Sequence, residues 1–287
     1  MDPVRVGLVG AGPWAARMHA PVLAAGPHTS LAGVWARRPE AAAGLGAPVF
    51  TRLEDLFEVC EAVAFAVPPA VQAELAVRAA RAGKALLLEK PLAADLDGAE
   101  RVAAAVAEAG VLSQMVFSWR YAKGVREFLA EARACEPFGA QARYVSGSLR
   151  PESPFATPWR LARGAVLDIG PHMIDLVDAA LGRVVDVRAR GSVLGWAGLL
   201  LEHEGGALSE VSLCMSAPGE RDAAVTVYGE RGRAHVDHTA LGDDVVFPAM
   251  AAEFATTVRS GVPHPLDAAR GLHVQRLIAA AEAQFTS

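Results

Sequence analysis

Three short stretches of the sequence carry residue types that could do chemistry together. A glycine-rich run over residues 10–15 reads Gly-Ala-Gly-Pro-Trp-Ala, a Glu-Lys-Pro triplet ends at Pro91, and an Asp-x-Gly-x-His pattern joins Asp168 to His172. Glycines let the backbone approach phosphate groups closely, whereas a lysine ammonium or an imidazole can hold or release a proton. The sequence therefore combines candidate phosphate-binding and proton-transfer groups.

The glycine-rich run follows an apolar segment, residues 4–9, and precedes an alanine-rich segment that is typical of a helix. It matches the dinucleotide fingerprint, in which a sharp turn lets backbone N–H groups meet a pyrophosphate. Turn glycines can be purely structural, but this position at the start of a strand–helix–strand unit favours nucleotide binding. The expected contact residues are Gly10, Gly12, Pro13, Trp14 and Ala15.

The end of the second predicted strand indicates which dinucleotide binds. An NAD site usually places Asp or Glu there, roughly 20 residues after the glycines, to hold the ribose 2′-hydroxyl. This chain has no acid there but has Arg37 and Arg38, whose guanidinium groups suit a 2′-phosphate. We therefore predict NADP, with NAD as the alternative if both arginines are only solvated loop residues.

Lys90 follows the apolar run 85–88 and should lie at the carboxyl edge of a buried parallel strand, where open α/β sheets bind ligands. A lysine there can protonate a carbonyl oxygen or stabilise an alkoxide during hydride transfer. The chain has only three lysines, Lys84, Lys90 and Lys123. The structural alternative is a strand-end lysine that points into solvent.

Asp168 and His172 form the second candidate catalytic group. Pro171 is tolerated only in the first turn of a helix, which predicts Asp168 near the N-cap of a helix over residues 169–181. Asp168 and His172, four residues apart, would then face the same way as an acid–base pair. A capping aspartate and a packed histidine are the structural alternative. A metal at Asp168, His172 and Asp175 is disfavoured because no other ligand cluster is evident, so we expect none.

Taken together, these motifs resemble the Gfo/Idh/MocA family, named for glucose–fructose oxidoreductase and inositol dehydrogenase. The resemblance covers nearly the whole chain, up to a closing helix after Pro265-Leu266-Asp267. It implies that Lys90 and His172 flank the substrate with support from Asp168, and that the nicotinamide lies near a Glu-Lys-Pro turn whose Lys90–Pro91 bond is commonly cis. It also implies cofactor contacts at Pro68, Glu89, Lys90 and Pro91, and substrate contacts at Lys90, Arg120, Trp159, Arg160 and His172; Trp159 could equally be packing.

The implied activity is hydride transfer between NAD(P) and a secondary alcohol or ketone of a sugar or cyclitol, with Lys90 and His172 as proton donor and acceptor. The alternatives are an NAD-dependent glycoside hydrolase and a nucleotide-sensing regulator. Retention of Lys90, Asp168 and His172 counts against the regulator, since a sensor needs no proton relay.

The chain departs from the family pattern in three places. Gln72 stands where a histidine is common, Ser118 stands where an asparagine is common, and the glycine cluster before the catalytic helix is reduced to Arg163-Gly164-Ala165. These departures obscure the identity of the substrate without removing the Lys90/His172 pair.

Two domains must position these residues. Residues 1–118 alternate apolar runs with alanine-rich segments, which predicts an α/β Rossmann domain with a doubly wound parallel sheet. Its predicted strands are 4–9, 31–35, 62–67, 85–88 and 112–117, and its helices 14–25, 54–57, 71–82 and 96–109. Residues 119–287 predict an α+β substrate-binding and oligomerisation domain with a mostly antiparallel open sheet. Its strands are 141–149, 184–191, 199–203, 207–215, 223–228 and 234–236, and its helices 169–181, 249–260 and 267–285.

Composition narrows the class of partner. The chain carries 27 basic and 32 acidic residues, a net charge of −5, which argues against nucleic acid or an anionic membrane as partner. No run approaches the ~18 apolar residues of a membrane span. Three widely spaced cysteines favour a reducing, cytoplasmic location. Apolar residues on both faces of segment 199–201 predict a homodimer or homotetramer through the second sheet.

Overall fold

The computed structural model describes residues 2–153, 155–240 and 243–285. The chain divides into two compact units. The first combines Met1–Val116 with Asp243–Gln275, and the second combines Phe117–Gly242 with Arg276–Ser287. No helix in the described part of the chain is long and apolar enough to cross a bilayer.

The first unit contains a six-stranded parallel sheet in the order β3-β2-β1-β4-β5-β6, which confirms the predicted Rossmann fold. The strands are β1 (Val4–Val9), β2 (Thr29–Trp35), β3 (Val49–Phe50), β4 (Ala62–Phe65), β5 (Ala85–Leu88) and β6 (Ser113–Met115). Strands β4 and β5 are buried along their whole length, as expected for a parallel sheet covered on both faces. Strand order reverses between β1 and β4, and open sheets bind ligands at the carboxyl ends of strands beside such a point.

The helices of this sheet follow the alanine-rich segments. A π-helical turn (Ala15–His19) leads into α1 (Ala20–Ala25), and α2 (Leu53–Val59), α3 (Pro69–Arg81) and α4 (Leu96–Ala109) follow. Asp95 caps α4 by accepting a hydrogen bond from the Gly98 amide at 2.8 Å, and Gly110 ends it in the left-handed conformation.

A late segment of the chain returns to the first unit. It contains α8 (Asp243–Ser260) and the start of α9 (Ala268–Glu282). Hydrogen bonds anchor it: Met115 N donates to Leu266 O at 2.6 Å, and Gln114 Nε2 donates to Met250 O at 3.0 Å. The sequence boundary near residue 118 assigns this segment to the second domain, whereas its backbone and side-chain partners lie in the Rossmann unit.

An ion pair adds to this anchoring. Arg259 at the end of α8 lies 2.6 Å from Glu61, and its hydrogen bond lowers the pKa of that carboxyl to about 2. Glu61 immediately precedes β4, so the contact is at the amino edge of the sheet.

The second unit is built on a six-stranded sheet in the order β12-β11-β7-β10-β9-β8. The strands are β7 (Pro137–Val145), β8 (Val184–Gly191), β9 (Ala197–His203), β10 (Leu208–Cys214), β11 (Asp222–Gly229) and β12 (Gly232–Asp237), and the helices are α5 (Lys123–Ala134), α6 (Pro158–Asp168) and α7 (Gly170–Leu181). Only the β7–β10 pairing is parallel, which confirms a mostly antiparallel sheet. Helices α5 and α6 were not predicted.

The two faces of this sheet differ as the alternation in the sequence predicts. Along β10, Ser209, Val211 and Leu213 are buried on the face that α7 covers, whereas Glu210 on the opposite face is exposed. That open face also carries Leu200, which is 42% exposed. It is therefore a mixed surface of charged and apolar side chains.

Candidate active site

Gly10 ends β1 at a position that only glycine can occupy. Its φ is +121°, and a Cβ atom built on it would lie 2.3 Å from the Ala66 carbonyl oxygen after β4. The Gly10 amide donates to Trp35 O at the end of β2 at 2.8 Å, so the turn is fixed between two strand ends. In contrast, nothing lies within 4 Å of a Cβ placed on Gly12. The backbone here fits the close approach of a dinucleotide pyrophosphate.

Arg37 and Arg38 lie directly after β2 and are exposed. The Gly10 amide donates to the Trp35 carbonyl at the end of β2. The segment that follows β2 and contains these arginines therefore starts next to the glycine-rich run. Two guanidinium groups are therefore available at the strand end where the dinucleotide fingerprint places a ribose.

Lys90 follows β5 and is half-buried, and the Lys90–Pro91 peptide bond is cis, as the resemblance implies. The turn that carries it is held by Gln72 of α3, whose side chain is fully buried. Gln72 Nε2 donates to the carbonyl oxygens of Glu89 (2.7 Å), Leu92 (3.1 Å) and Pro91 (3.2 Å), and its Oε1 accepts from the Glu89 amide at 2.9 Å. Gln72 therefore fixes the backbone on both sides of Lys90.

The Glu89 side chain makes separate contacts with the start of the chain. Its Oε1 accepts a hydrogen bond from Trp14 Nε1 at 2.7 Å, and His19 Nε2 lies 2.7 Å from the same oxygen. The His19 side chain is fully buried at the end of the π-helical turn. His19 was not predicted from the sequence. The signal was its position beside the apolar residues of α1, where a buried histidine needs a polar partner.

In the second unit, Asp168 lies next to the N-cap of the helix that carries His172, as predicted. Helix α6 extends to Asp168, and Ile169 is the N-cap of α7 without a side-chain cap. The Asp168 carboxylate pairs with Arg160, with Oδ2 2.9 Å from Nε. A charged hydrogen-bond partner of this kind stabilises a buried carboxylate. Pro171 does lie in the first turn of α7, as predicted.

His172 is buried in α7 and packs among aromatic rings. Its ring stacks on Trp119 with centroids 4.8 Å apart and an interplanar angle of 19°, and Phe117 meets it edge-on at 6.4 Å. Trp119 also stacks on Tyr144 at 6.1 Å. This stack of His172, Trp119 and Tyr144 fixes the plane of the imidazole. The contact of Trp119 with His172 was not predicted from the sequence.

The other predicted substrate residues have ionic or aromatic partners in the second unit. Arg120 lies 3.0 Å from the buried carboxylate of Asp175. The Arg160 guanidinium lies over the Trp159 ring, 4.9 Å from its centroid. Among the described residues, no group of three or more His, Cys, Asp or Glu side chains is arranged to hold a metal ion.

Gly164 produces the break in α6 that precedes Asp168. Its φ of +63° and ψ of −160° are not helical, and a Cβ there would lie 1.6 Å from the Val193 carbonyl oxygen. We expect Gly164→Ala to lower the free energy of unfolding by about 2–5 kcal/mol, combining backbone strain and overpacking. Denaturant unfolding measures this loss.

Gly205→Ala is the matched control for that variant. Gly205 also has a positive φ, +92°, but an added methyl meets nothing within 4 Å. Its expected cost is about 1 kcal/mol, from backbone strain alone. Equal losses in the two variants would contradict the steric account of Gly164.

Two family models match the chain in succession. Residues 4–117 match the model described as "Oxidoreductase family, NAD-binding Rossmann fold", and residues 122–235 match the "GFO/IDH/MocA C-terminal domain". A curated relative, dTDP-3,4-didehydro-2,6-dideoxy-alpha-D-glucose 3-reductase of Actinomadura kijaniata, is 30% identical over 206 residues. That match spans 67% of this chain but only 60% of the relative.

Solved structures share the fold over nearly the full length. An oxidoreductase domain protein from Kribbella flavida superposes with a TM-score of 0.89 at 24% identity, covering 99% of this chain and 97% of that one. The WlbA dehydrogenase from Bordetella pertussis, solved with NADH and UDP-GlcNAcA, has a TM-score of 0.85 at 24% identity, covering 98% and 96%.

Proposed function

This chain belongs to the GFO/IDH/MocA oxidoreductase family, and from that premise we propose that it transfers hydride between NADP and a secondary alcohol or ketone of a sugar or cyclitol. The observation that carries the proposal is the Lys90 turn. It follows β5 at the carboxyl edge of the Rossmann sheet, and Gln72 holds its backbone with four hydrogen bonds of 2.7–3.2 Å. A regulator would have no need to hold a lysine so firmly at this edge.

The dinucleotide would be held by the glycine-rich run, with Pro68, Glu89 and Pro91 near the nicotinamide end. A bound nicotinamide supplies the hydride acceptor or donor. We assign proton transfer at the substrate oxygen to Lys90 and His172, with Asp168 supporting them through its charge. The Arg160–Asp168 ion pair, at 2.9 Å, holds that carboxylate in place. Arg120, Trp159 and Arg160 are the proposed substrate contacts.

The preference for NADP is assigned to Arg37 and Arg38, which are exposed after β2. Each guanidinium–phosphate contact contributes roughly 1.5–3 kcal/mol, or about 10- to 150-fold in affinity. Replacing both arginines with alanine is therefore expected to weaken NADP binding at least about tenfold and to leave NAD binding nearly unchanged. Titration calorimetry with each dinucleotide measures both affinities. Equal losses for NADP and NAD would mean that the arginines are structural.

We further propose that the protein acts as a homodimer or homotetramer through the open face of its second sheet. Support comes from exposed apolar residues on that face, Leu200, Leu208 and Tyr228, beside the Arg143–Asp222 ion pair at 2.7 Å. A reducing, cytoplasmic location fits the three cysteines, Cys60, Cys135 and Cys214, all of which are free and buried. Light scattering that shows a stable monomer at micromolar concentration would remove the oligomer from the proposal.

The proposed activity is tested by a screen of polyols, cyclitols and keto-sugars with NADP and NAD, following the absorbance of reduced nicotinamide. We expect turnover with one of these substrates and faster turnover with NADP. Cleavage of a glycoside without net reduction of the cofactor would instead identify an NAD-dependent hydrolase. Tight dinucleotide binding without any turnover would favour the nucleotide-sensing regulator.

A further inference from the structure

The first unit contains a cluster of three side chains, Trp14, His19 and Glu89, which we call the Glu89 bridge. The bridge connects two parts of this unit that are far apart in sequence. Trp14 belongs to the glycine-rich run, and Glu89 immediately precedes Lys90. Trp14 Nε1 donates to Glu89 Oε1 at 2.7 Å, and His19 Nε2 lies at the same distance from that oxygen. A direct side-chain link therefore joins the proposed phosphate-binding turn to the turn that carries Lys90.

Burying these polar side chains costs more free energy than expected if the bridge only stabilised the fold. The His19 side chain is fully buried and the Glu89 side chain is only 12% exposed. Removing a carboxylate from water is unfavourable unless hydrogen bonds replace the lost hydration, and apolar residues of similar volume often stabilise as well or better. The backbone of the turn, moreover, is already held by Gln72. The Glu89 carboxylate is thus not needed to fix the backbone.

The end of the bridge at Trp14 is accessible to a ligand. Trp14 is 42% exposed while its N–H is committed to Glu89, and its ring meets Phe247 of α8 edge-on at 5.7 Å. The π-helical turn over Ala15–His19 brings His19 to the same carboxylate, and wide turns of this type are frequent at functional sites. A ligand that orders the glycine-rich run would therefore act on Trp14 and, through it, on Glu89, the residue next to Lys90.

We propose that the Glu89 bridge couples dinucleotide binding to the orientation of Lys90, with Trp14, His19 and Glu89 as positioning residues; this inference rests on the function proposed above. The bridge orients Lys90 for proton transfer once the dinucleotide occupies the glycine-rich run. By linkage, the arrangement that suits Lys90 also favours the dinucleotide, so one substitution changes both properties.

The small number of lysines makes the coupling directly observable. Reductive ¹³C-methylation labels Lys84, Lys90 and Lys123 with retention of charge, and the Lys90 signal is assigned by its absence in Lys90→Arg. In the wild-type chain we expect saturating NADP⁺ to shift the Lys90 signal. In Trp14→Phe, which keeps the ring but removes the N–H donor, and in Glu89→Gln, we expect that shift to be largely lost at saturating NADP⁺.

Affinity and turnover give a second readout. We expect each of these variants to weaken NADP⁺ binding and to lower kcat about fivefold or more, at unchanged substrate KM. In the double variant, kcat and NADP⁺ affinity are expected to be no lower than in the more affected single variant, because both changes break the same Trp14–Glu89 link. His19→Gln, which keeps a side-chain donor, is expected to retain more of the wild-type kcat than His19→Ala.

Glu61→Gln is the matched control. It removes the same charge beside β4, at the opposite edge of the sheet, and breaks the 2.6 Å contact with Arg259. It is expected to lower the melting temperature without changing the Lys90 signal or the NADP⁺ affinity. The coupling is overturned if the bridge variants behave like Glu61→Gln, or if Trp14→Phe and Glu89→Gln have additive effects. A wild-type chain that binds neither NADP nor NAD overturns the proposed function itself, and the coupling with it.

Discussion

Replacing Lys90 with methionine is expected to lower kcat by about 10²–10⁴-fold, which corresponds to about 2.7–5.4 kcal/mol of activation free energy. Methionine preserves most of the volume of the half-buried side chain but cannot donate a proton or carry positive charge. In the variant, the turn that carries residue 90 would supply no positive charge or proton to stabilise the negative charge that develops on the substrate oxygen. Steady-state kinetics on the substrate found by the screen measures the loss.

NADP binding is expected to survive in the Lys90→Met variant, because the pyrophosphate and 2′-phosphate contacts are assigned to residues 10–15 and to Arg37 and Arg38. Lys84→Met is the matched control: Lys84 Nζ donates to Cys60 O at 3.0 Å, just before the amino end of β5. It removes a lysine at the edge opposite Lys90 and should change kcat only slightly. Near-normal kcat in Lys90→Met would show that the catalytic assignment is wrong.

His172→Ala is expected to cause a loss of the same order, about 10²–10⁴-fold in kcat, and to flatten one limb of the pH–rate profile. The reason is that the imidazole, held against Trp119 at 4.8 Å, is the proposed proton donor or acceptor from the second unit. Rates measured across a pH series in wild type and variant report the lost limb.

His235→Ala is the control for His172→Ala. His235 is exposed on β12, where its Nδ1 lies 2.9 Å from Thr226 Oγ1, and its removal should leave both kcat and the pH profile unchanged. A His172→Ala variant that keeps both limbs would remove His172 from the proton-transfer role and strengthen the case for a regulator.

The architecture was predictable because burial on both faces leaves a clear pattern in the sequence. The apolar runs of β1 and β5 and the helix α4 were predicted with the bounds that the structure shows. The two-residue strand β3 was missed, since so short a segment has no periodicity. Chain order alone did not show that segment Asp243–Gln275 packs with the first unit, because only tertiary hydrogen bonds such as Gln114 to Met250 show where it packs.

The candidate site was predictable in residue type but not in contacts. Glycine at position 10 and lysine at position 90 follow from backbone geometry and strand-end chemistry, which are local properties. The ion pair of Asp168 with Arg160 was not predicted, because a contact between residues eight apart, across the helix break at Gly164, leaves no simple spacing in the sequence. Gln72 was interpreted as a departure that affects the substrate, whereas its bonds go to the backbone around Lys90.

The fate of a deuterium atom tests the central proposal most directly. A sugar or cyclitol alcohol identified by the screen is prepared with deuterium on its carbinol carbon and oxidised with NADP⁺ by the wild-type protein. We predict that the deuterium is recovered on C4 of the reduced nicotinamide, on a single face, with Lys90→Met slowing its transfer. Recovery of the deuterium in water would contradict hydride transfer as the function of this protein. So would a failure of every secondary alcohol to reduce NADP⁺ together with a failure of every ketone to oxidise NADPH.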